Sequence, residues 1–94
     1  MRLRWQDDAV TDLRQLRAYI AQDNPQAAAR VARRIQQATS RLIDQPALGR
    51  PGRVPDTREL IISNTPYIVA YRITGTTVTI LRVLHAARRW PERC

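Results

Sequence analysis

The chain has 94 residues, sixteen basic side chains against eight acidic ones, and a formal net charge of +8. Every basic residue is an arginine, and the apolar share of 44% is too high for a disordered chain. A single cysteine, Cys94, excludes an intramolecular disulfide and a cysteine-cluster metal site.

This length predicts one domain spanning residues 1–94, with a single layer of helices on one sheet. Phe is absent, so aliphatic side chains must fill the core. The segment Met1-Arg2-Leu3-Arg4-Trp5-Gln6-Asp7-Asp8 has no apolar run, which predicts no signal peptide, no membrane span and a cytoplasmic location. Charge of this sign makes polyanions or an acidic protein the natural partners; an arginine-rich surface that is merely solvated is the plainer alternative.

Arg2 to Trp5 alternates and is short, which predicts an opening strand. Asp7 and Asp8 then supply an N-cap and negative charge for a helix start. Ala9, Leu13, Leu16 and Ile20 mark one face of that helix, which ends near Gln22. Asn24 caps a second helix with Pro25 at its first position. Ala28, Val31, Ile35, Ala38 and Leu42 form its apolar stripe, and the two helices read as an αα-hairpin. Arg30, Arg34, Gln37 and Arg41, with Arg33 beside them, cluster roughly 120° from the stripe. They read as an ordinary solvated face or as a basic ridge for phosphates or an acidic segment.

Gln45 to Thr57 carries Pro46, Gly49, Pro51, Gly52 and Pro55, and reads as an ordered loop displaying Arg50 and Arg53. Three antiparallel strands follow: Arg58 to Ser63, Tyr67 to Ile73 and Thr77 to Leu84, joined at Asn64-Thr65 and Thr74-Gly75. With two-residue turns, parity puts Leu60, Ile62, Tyr67, Val69, Tyr71, Ile73, Val78, Ile80 and Leu84 on the helix-facing side, together with Arg58 and Arg82. The other side, from Glu59 and Ile61 through Ile68, Ala70 and Arg72 to Leu81, Val83 and His85, is mixed and reads as an open functional face. A single bulge would flip these assignments. Trp90 is expected to pin the tail onto the domain.

The chemical inventory is narrow. There is no glycine-rich phosphate loop, no metal constellation around the lone His85, no cofactor motif, and no triad signature near Ser40 or Ser63. RNA cleavage stays open, with arginines as the cations and His85, Glu59 or a tyrosine as acid or base. In the register above His85 and Arg72 lie about 25 Å apart, so His85 would have to work with Arg88, Arg89 or the opening strand. Its plainer role is a strand-end histidine bonded to backbone.

The stretches Arg53-Val54-Pro55-Asp56-Thr57-Arg58-Glu59-Leu60-Ile61, Pro66-Tyr67-Ile68-Val69-Ala70-Tyr71-Arg72 and Arg82-Val83-Leu84-His85-Ala86-Ala87-Arg88-Arg89-Trp90-Pro91 resemble the RelE/ParE superfamily of toxins from type II toxin–antitoxin pairs. Asp12-Leu13, Tyr19-Ile20-Ala21 and Asn24-Pro25 fit the same resemblance. It implies an α+β fold in which a short N-terminal strand precedes an αα-hairpin packed on a three-stranded antiparallel sheet. It also implies a cognate antitoxin, whose flexible and largely helical segment wraps the toxin. RelE-like members cut messenger RNA on the ribosome, whereas studied ParE-like members poison DNA gyrase without being enzymes. Here Tyr67 is followed by Ile68 rather than arginine, lysines are absent, and no tyrosine follows Tyr71. The pattern of Arg58-Glu59, Pro66-Tyr67-Ile68-Val69 and Val83-Leu84-His85 looks more like the ParE branch. The resemblance therefore implies gyrase as the target, with a ribosome-dependent ribonuclease using His85 as the alternative. Residues expected to meet target or antitoxin are Arg30, Arg34, Arg41, Arg53, Arg58, Arg72, Arg82, Arg88, Arg89 and Trp90.

Overall fold

In the computed structural model, residues 1–87 and Trp90 are described. The expectations for Arg88 and Arg89 lie outside the described residues. The order is β1 (Arg2–Trp5), α1 (Asp7–Ala21), α2 (Pro25–Ser40), β2 (Arg50–Pro51), β3 (Arg58–Ile61), β4 (Tyr67–Thr74) and β5 (Thr77–His85). Short 3₁₀ turns at Arg41–Ile43 and Pro46–Leu48 lead from α2 into the loop.

Local chemistry accounts for the helix boundaries. Asn24 takes an extended conformation and its Oδ1 accepts the Ala27 N–H at 3.0 Å, with Pro25 in the first helical position. At α1 the cap is Gln6, without a side-chain bond, rather than an aspartate. Asp7 and Asp8 sit inside the first turn, where they act on the helix dipole instead of closing an N–H.

The sheet is larger than three strands. Its order is β1-β5-β4-β3-β2, with β1 parallel to β5 and the other pairs antiparallel. The opening strand joins the sheet edge beside β5, and the Pro/Gly loop contributes Arg50–Pro51 at the opposite edge. A proline-bearing segment fits such an edge because no inner ladder needs its missing N–H.

The β3–β4 register is the predicted one, with Arg58 opposite Tyr71 and Leu60 opposite Val69. The β4–β5 register differs in two respects. The turn residues are Gly75-Thr76, one position later than expected, with Gly75 at φ 58° and Thr74 facing Thr77. Tyr71 then pairs with Ile80 but Ala70 pairs with Arg82, so Leu81 is an extra residue in β5. Beyond this bulge the parity of β5 reverses. Val83, opposite Val69, enters the helix-facing core, whereas Arg82 and Leu84, assigned there from sequence, pair with Ala70 and Ile68.

The helix-facing core joins Ala9, Leu16, Ile35 and Leu42 to Leu60, Ile62, Val69, Tyr71, Val78, Ile80 and Val83. The opposite face is not open across its centre. Ile68, Ala70, Leu81, Leu84 and Glu59 are all buried.

One polar side chain ties the helices to the sheet. Asp12 lies between Ala9 and Leu16 on the buried face of α1. Its Oδ2 accepts Arg82 Nε at 2.7 Å and Val83 N–H at 2.9 Å, and its Oδ1 accepts Arg82 Nη2 at 3.0 Å. The fork satisfies both carboxylate oxygens and an outward N–H of β5. Asp12→Ala is expected to cost about 2–4 kcal/mol, because it removes the carboxylate end of the Arg82 fork and leaves the buried Val83 amide without its acceptor. Urea unfolding checks this against Arg72→Ala, which should change stability by no more than about 0.5 kcal/mol.

Candidate functional site

The loop between α2 and β3 is fastened by groups that sequence patterns do not reveal. The Tyr71 hydroxyl donates to the Pro46 carbonyl at 2.6 Å and accepts the Gly49 N–H at 2.8 Å. Arg58 Nη1 donates to the Gly49 carbonyl at 2.7 Å and to the Ala47 carbonyl at 3.4 Å. Glycine is needed at position 49, because a Cβ there would lie 2.6 Å from a Tyr71 ring carbon. Buried Glu59 accepts the Arg53 N–H at 2.9 Å, and its carboxylate pairs with Arg53 at 3.5 Å and Arg50 at 3.6 Å. Arg53, Arg58 and Arg82, three of the predicted contact residues, therefore make bonds inside the fold.

His85 stands at the end of β5 opposite Tyr67, with ring centroids 5.8 Å apart in an edge-to-face arrangement. The His85 Nδ1 accepts the Ala87 N–H at 3.1 Å, which is the backbone-bonded, strand-end role anticipated from sequence. Burial pushes the Tyr67 phenol above its ordinary value of 10.0, and neighbouring Tyr19 adds to the rise. Arg72 is five residues along β4 from Tyr67, about 17 Å at strand spacing, and on the opposite parity. The two sites are separate, but by less than the roughly 25 Å expected, and the bulge moves His85 from the face of Arg72, where the sequence register put it, to the face of Tyr67. Tyr19, exposed on α1 and marked in the sequence only within Tyr19-Ile20-Ala21, is the neighbour that acts on Tyr67.

The remaining predicted cations divide in two. Arg72 is exposed and lines a groove of about 570 Å³ with Arg58, Asp56 and Thr57. Arg30, Arg34 and Arg41 are exposed on α2 and the turn after it. Arg34 and Arg41, with Gln37, form one wall of a cleft of about 240 Å³, closed on the other side by Leu48 and by Leu60 through Ser63. Trp90 is half-buried. Among the described residues no group of histidine, cysteine and carboxylate side chains could hold a metal. Among the described residues no helix is long and apolar enough to cross a membrane.

The chain is thus an α+β protein, a helix hairpin over a mixed sheet with a basic cleft at one sheet edge. Comparison with known proteins defines it further. Residues 3–90 match the family described as the ParE toxin of the type II toxin–antitoxin system parDE. The Y4kP protein of Sinorhizobium fredii is 48% identical over 91 residues, covering 97% of this chain and 94% of its own. The toxin RelE2 of Caulobacter vibrioides is 38% identical, covering 89% of this chain and 93% of its own. Among solved structures, the chromosomal ParDE system of P. aeruginosa superposes with a TM-score of 0.80 at 27% identity, covering 90% of this chain and 95% of that one. The toxin–antitoxin complex RelBE2 of Mycobacterium tuberculosis gives 0.59 at 30% identity, covering 89% and 95%. The chain belongs to the ParE toxin family, within the ParE/RelE superfamily of type II toxin–antitoxin toxins.

Tyr71→Phe tests the loop fastening. Losing both hydroxyl bonds should cost about 1–3 kcal/mol and speed tryptic cleavage after Arg53. Burial raises the Tyr71 phenol above 10.0, a rise partly opposed by the Gly49 bond and Arg58. The unfolded chain therefore ionises first. The stabilising contribution is full below pH 10.0 and is lost as pH rises through the folded value. Alkaline unfolding should accordingly be shallower in Tyr71→Phe than in the wild type.

Proposed function

We propose that this chain is a ParE-like toxin that binds and inhibits DNA gyrase and is neutralised by a cognate antitoxin in the cytoplasm. The observation that carries the binding reading is the state of the arginines around the one histidine. A ribonuclease needs an acid or base and a cation converging on one phosphate. Among the described residues, Arg82 is held by Asp12, Arg58 by loop carbonyls, and Arg72 lies about 17 Å along β4 from the histidine corner. The ParE match across residues 3–90 supports the same reading. Arg30, Arg34, Arg41 and Arg72 are the exposed cations assigned to partner contact.

A second reading rests on the corner itself. His85 is exposed beside Tyr67, and the Caulobacter relatives carry the names RelE1 and RelE2. A ribosome-dependent ribonuclease would use His85 as acid or base there.

One pair of assays separates the two. The purified chain should abolish gyrase supercoiling or trap cleaved DNA, and His85→Ala should do so as well as the wild type. Inactivity on gyrase at large molar excess overturns the gyrase reading. Ribosome-dependent transcript cleavage that disappears in His85→Ala would put the ribonuclease in its place.

A further inference from the structure

The sheet face turned away from the helices divides into two halves. From the Leu81 bulge onward it is apolar and buried, at Ile68, Ala70, Leu81 and Leu84. Toward the β4–β5 turn it is polar. Leu3, Trp5, Tyr71, Ile73, Val78 and Ile80 belong to the helix-facing core, so alternation sends their strand neighbours to the other face. The registers then assemble two rows across that face. Arg4 lies beside Thr79 and Thr79 beside Arg72; Arg2 lies beside Thr77 and Thr77 beside Thr74. The three arginines and Thr74 are exposed, and Thr77 and Thr79 are half-buried.

Among the described residues, Arg2, Arg4 and Arg72 make no ion pair and no side-chain hydrogen bond. Arg50, Arg53, Arg58 and Arg82, by contrast, are engaged inside the fold. Acidic side chains stand only at the margins of the two rows. Asp7 and Asp8 share a small cleft with Arg4, and Asp56 shares the groove of Arg72.

Spacing and chemistry select the ligand. Residues on one face of a strand repeat about every 7 Å, and neighbouring strands lie about 4.8 Å apart. Arg2 and Arg4 are thus separated by two phosphate steps of a DNA strand, which advance about 3.4 Å each. Arg4 and Arg72, about 10 Å apart across Thr79, can reach the two strands that border a groove. The threonine hydroxyls add uncharged donors for phosphate oxygens. Single-stranded nucleic acid is held by stacking its bases on aromatic rings, and these rows carry none. Tyr67 and His85 are paired at the far end of β4 and β5. A protein partner needs an apolar centre, which the rows also lack.

We propose that this arginine–threonine face binds the phosphate backbone of duplex DNA without reading its sequence. The site goes beyond the gyrase reading and does not rest on it, so either can fail alone. Where both hold, the toxin grips the duplex alongside the enzyme that acts on it.

Fluorescence anisotropy of a short labelled duplex with the purified chain tests this. Arg2→Ala with Arg4→Ala and Arg72→Ala should weaken binding by about thirtyfold at low salt, and should flatten the slope of log affinity against log salt by about 2.7. Arg30→Ala with Arg34→Ala and Arg41→Ala removes the same charge and should weaken binding by less than about fivefold. Changing the duplex sequence should alter affinity by less than about threefold. Equal losses in the two triple variants overturn the proposal, because net charge alone then accounts for binding. Tighter binding of a single-stranded RNA of equal charge overturns it as well, as does a wild-type chain that fails to bind the duplex at low salt. Melting temperatures establish that each variant is folded. Should the sheet-face variant not fold, the Nε–Hε NMR signals of the wild-type arginines decide. Those of Arg2, Arg4 and Arg72 should shift as DNA is added, and shifts led by the α2 arginines overturn the assignment.

Discussion

The fold turns on the Asp12 carboxylate. Where β1 stops pairing at Ile80, β5 continues with a bare edge, and Asp12 reaches that edge to take Val83 N–H and the Arg82 fork. The bulge at Leu81 makes this possible. Without the extra residue, Val83 would face away from the core and Arg82 would project into the helix layer, burying a charge among aliphatic side chains. With it, Val83 enters the core and Arg82 meets its counter-charge at the sheet margin. A carboxylate in the middle of an apolar helix face is costly alone; satisfied from three directions, it fixes how α1 lies on the sheet.

The same logic governs the opposite side of the sheet. Tyr71, fully buried in the core, extends a hydroxyl to the loop and holds Pro46 and Gly49 inward. That pull keeps Pro46–Leu48 coiled and limits β2 to two residues. A longer β2 would have covered Ile61. The tyrosine thus shapes the exposed edge from within, and the edge is a consequence of core packing rather than of a loose loop.

Helices, strands and the β3–β4 register were legible in the sequence, because Asn24-Pro25, the period of α2 and the alternation after Arg58 are local signals. The β5 assignments past Leu81 were not legible, since a bulge in a run such as Leu81-Arg82-Val83-Leu84 changes no local pattern; only the burial of its surroundings selects it. Asp12 did leave a trace. It stands three residues after Ala9 and four before Leu16, at a spacing where an apolar residue is expected. A charge at such a position signals a buried partner, and the only question is which cation supplies it. The tyrosine and arginine contacts to the loop carbonyls left no comparable trace, because partners separated by 22 and 25 residues have no sequence signature.

The net charge of +8 reads differently once its members are placed. Composition alone suggests a polyanion as partner. Yet Arg50, Arg53, Arg58 and Arg82 make ion pairs with buried carboxylates or bonds to loop carbonyls, tasks for which a planar fork suits better than a lysine ammonium. Their charge is largely answered within the fold. Facing outward are Arg72 and the row Arg30, Arg33, Arg34 and Arg41 on α2 and the turn after it, the latter beside an exposed isoleucine at the strand edge. Nucleic acid would meet the charge of that row but leave the apolar surface unanswered. A protein partner carrying carboxylates and apolar side chains answers the charge and the apolar surface together, and for that reason the basic surface of α2 is better matched to a protein partner than to a phosphate backbone.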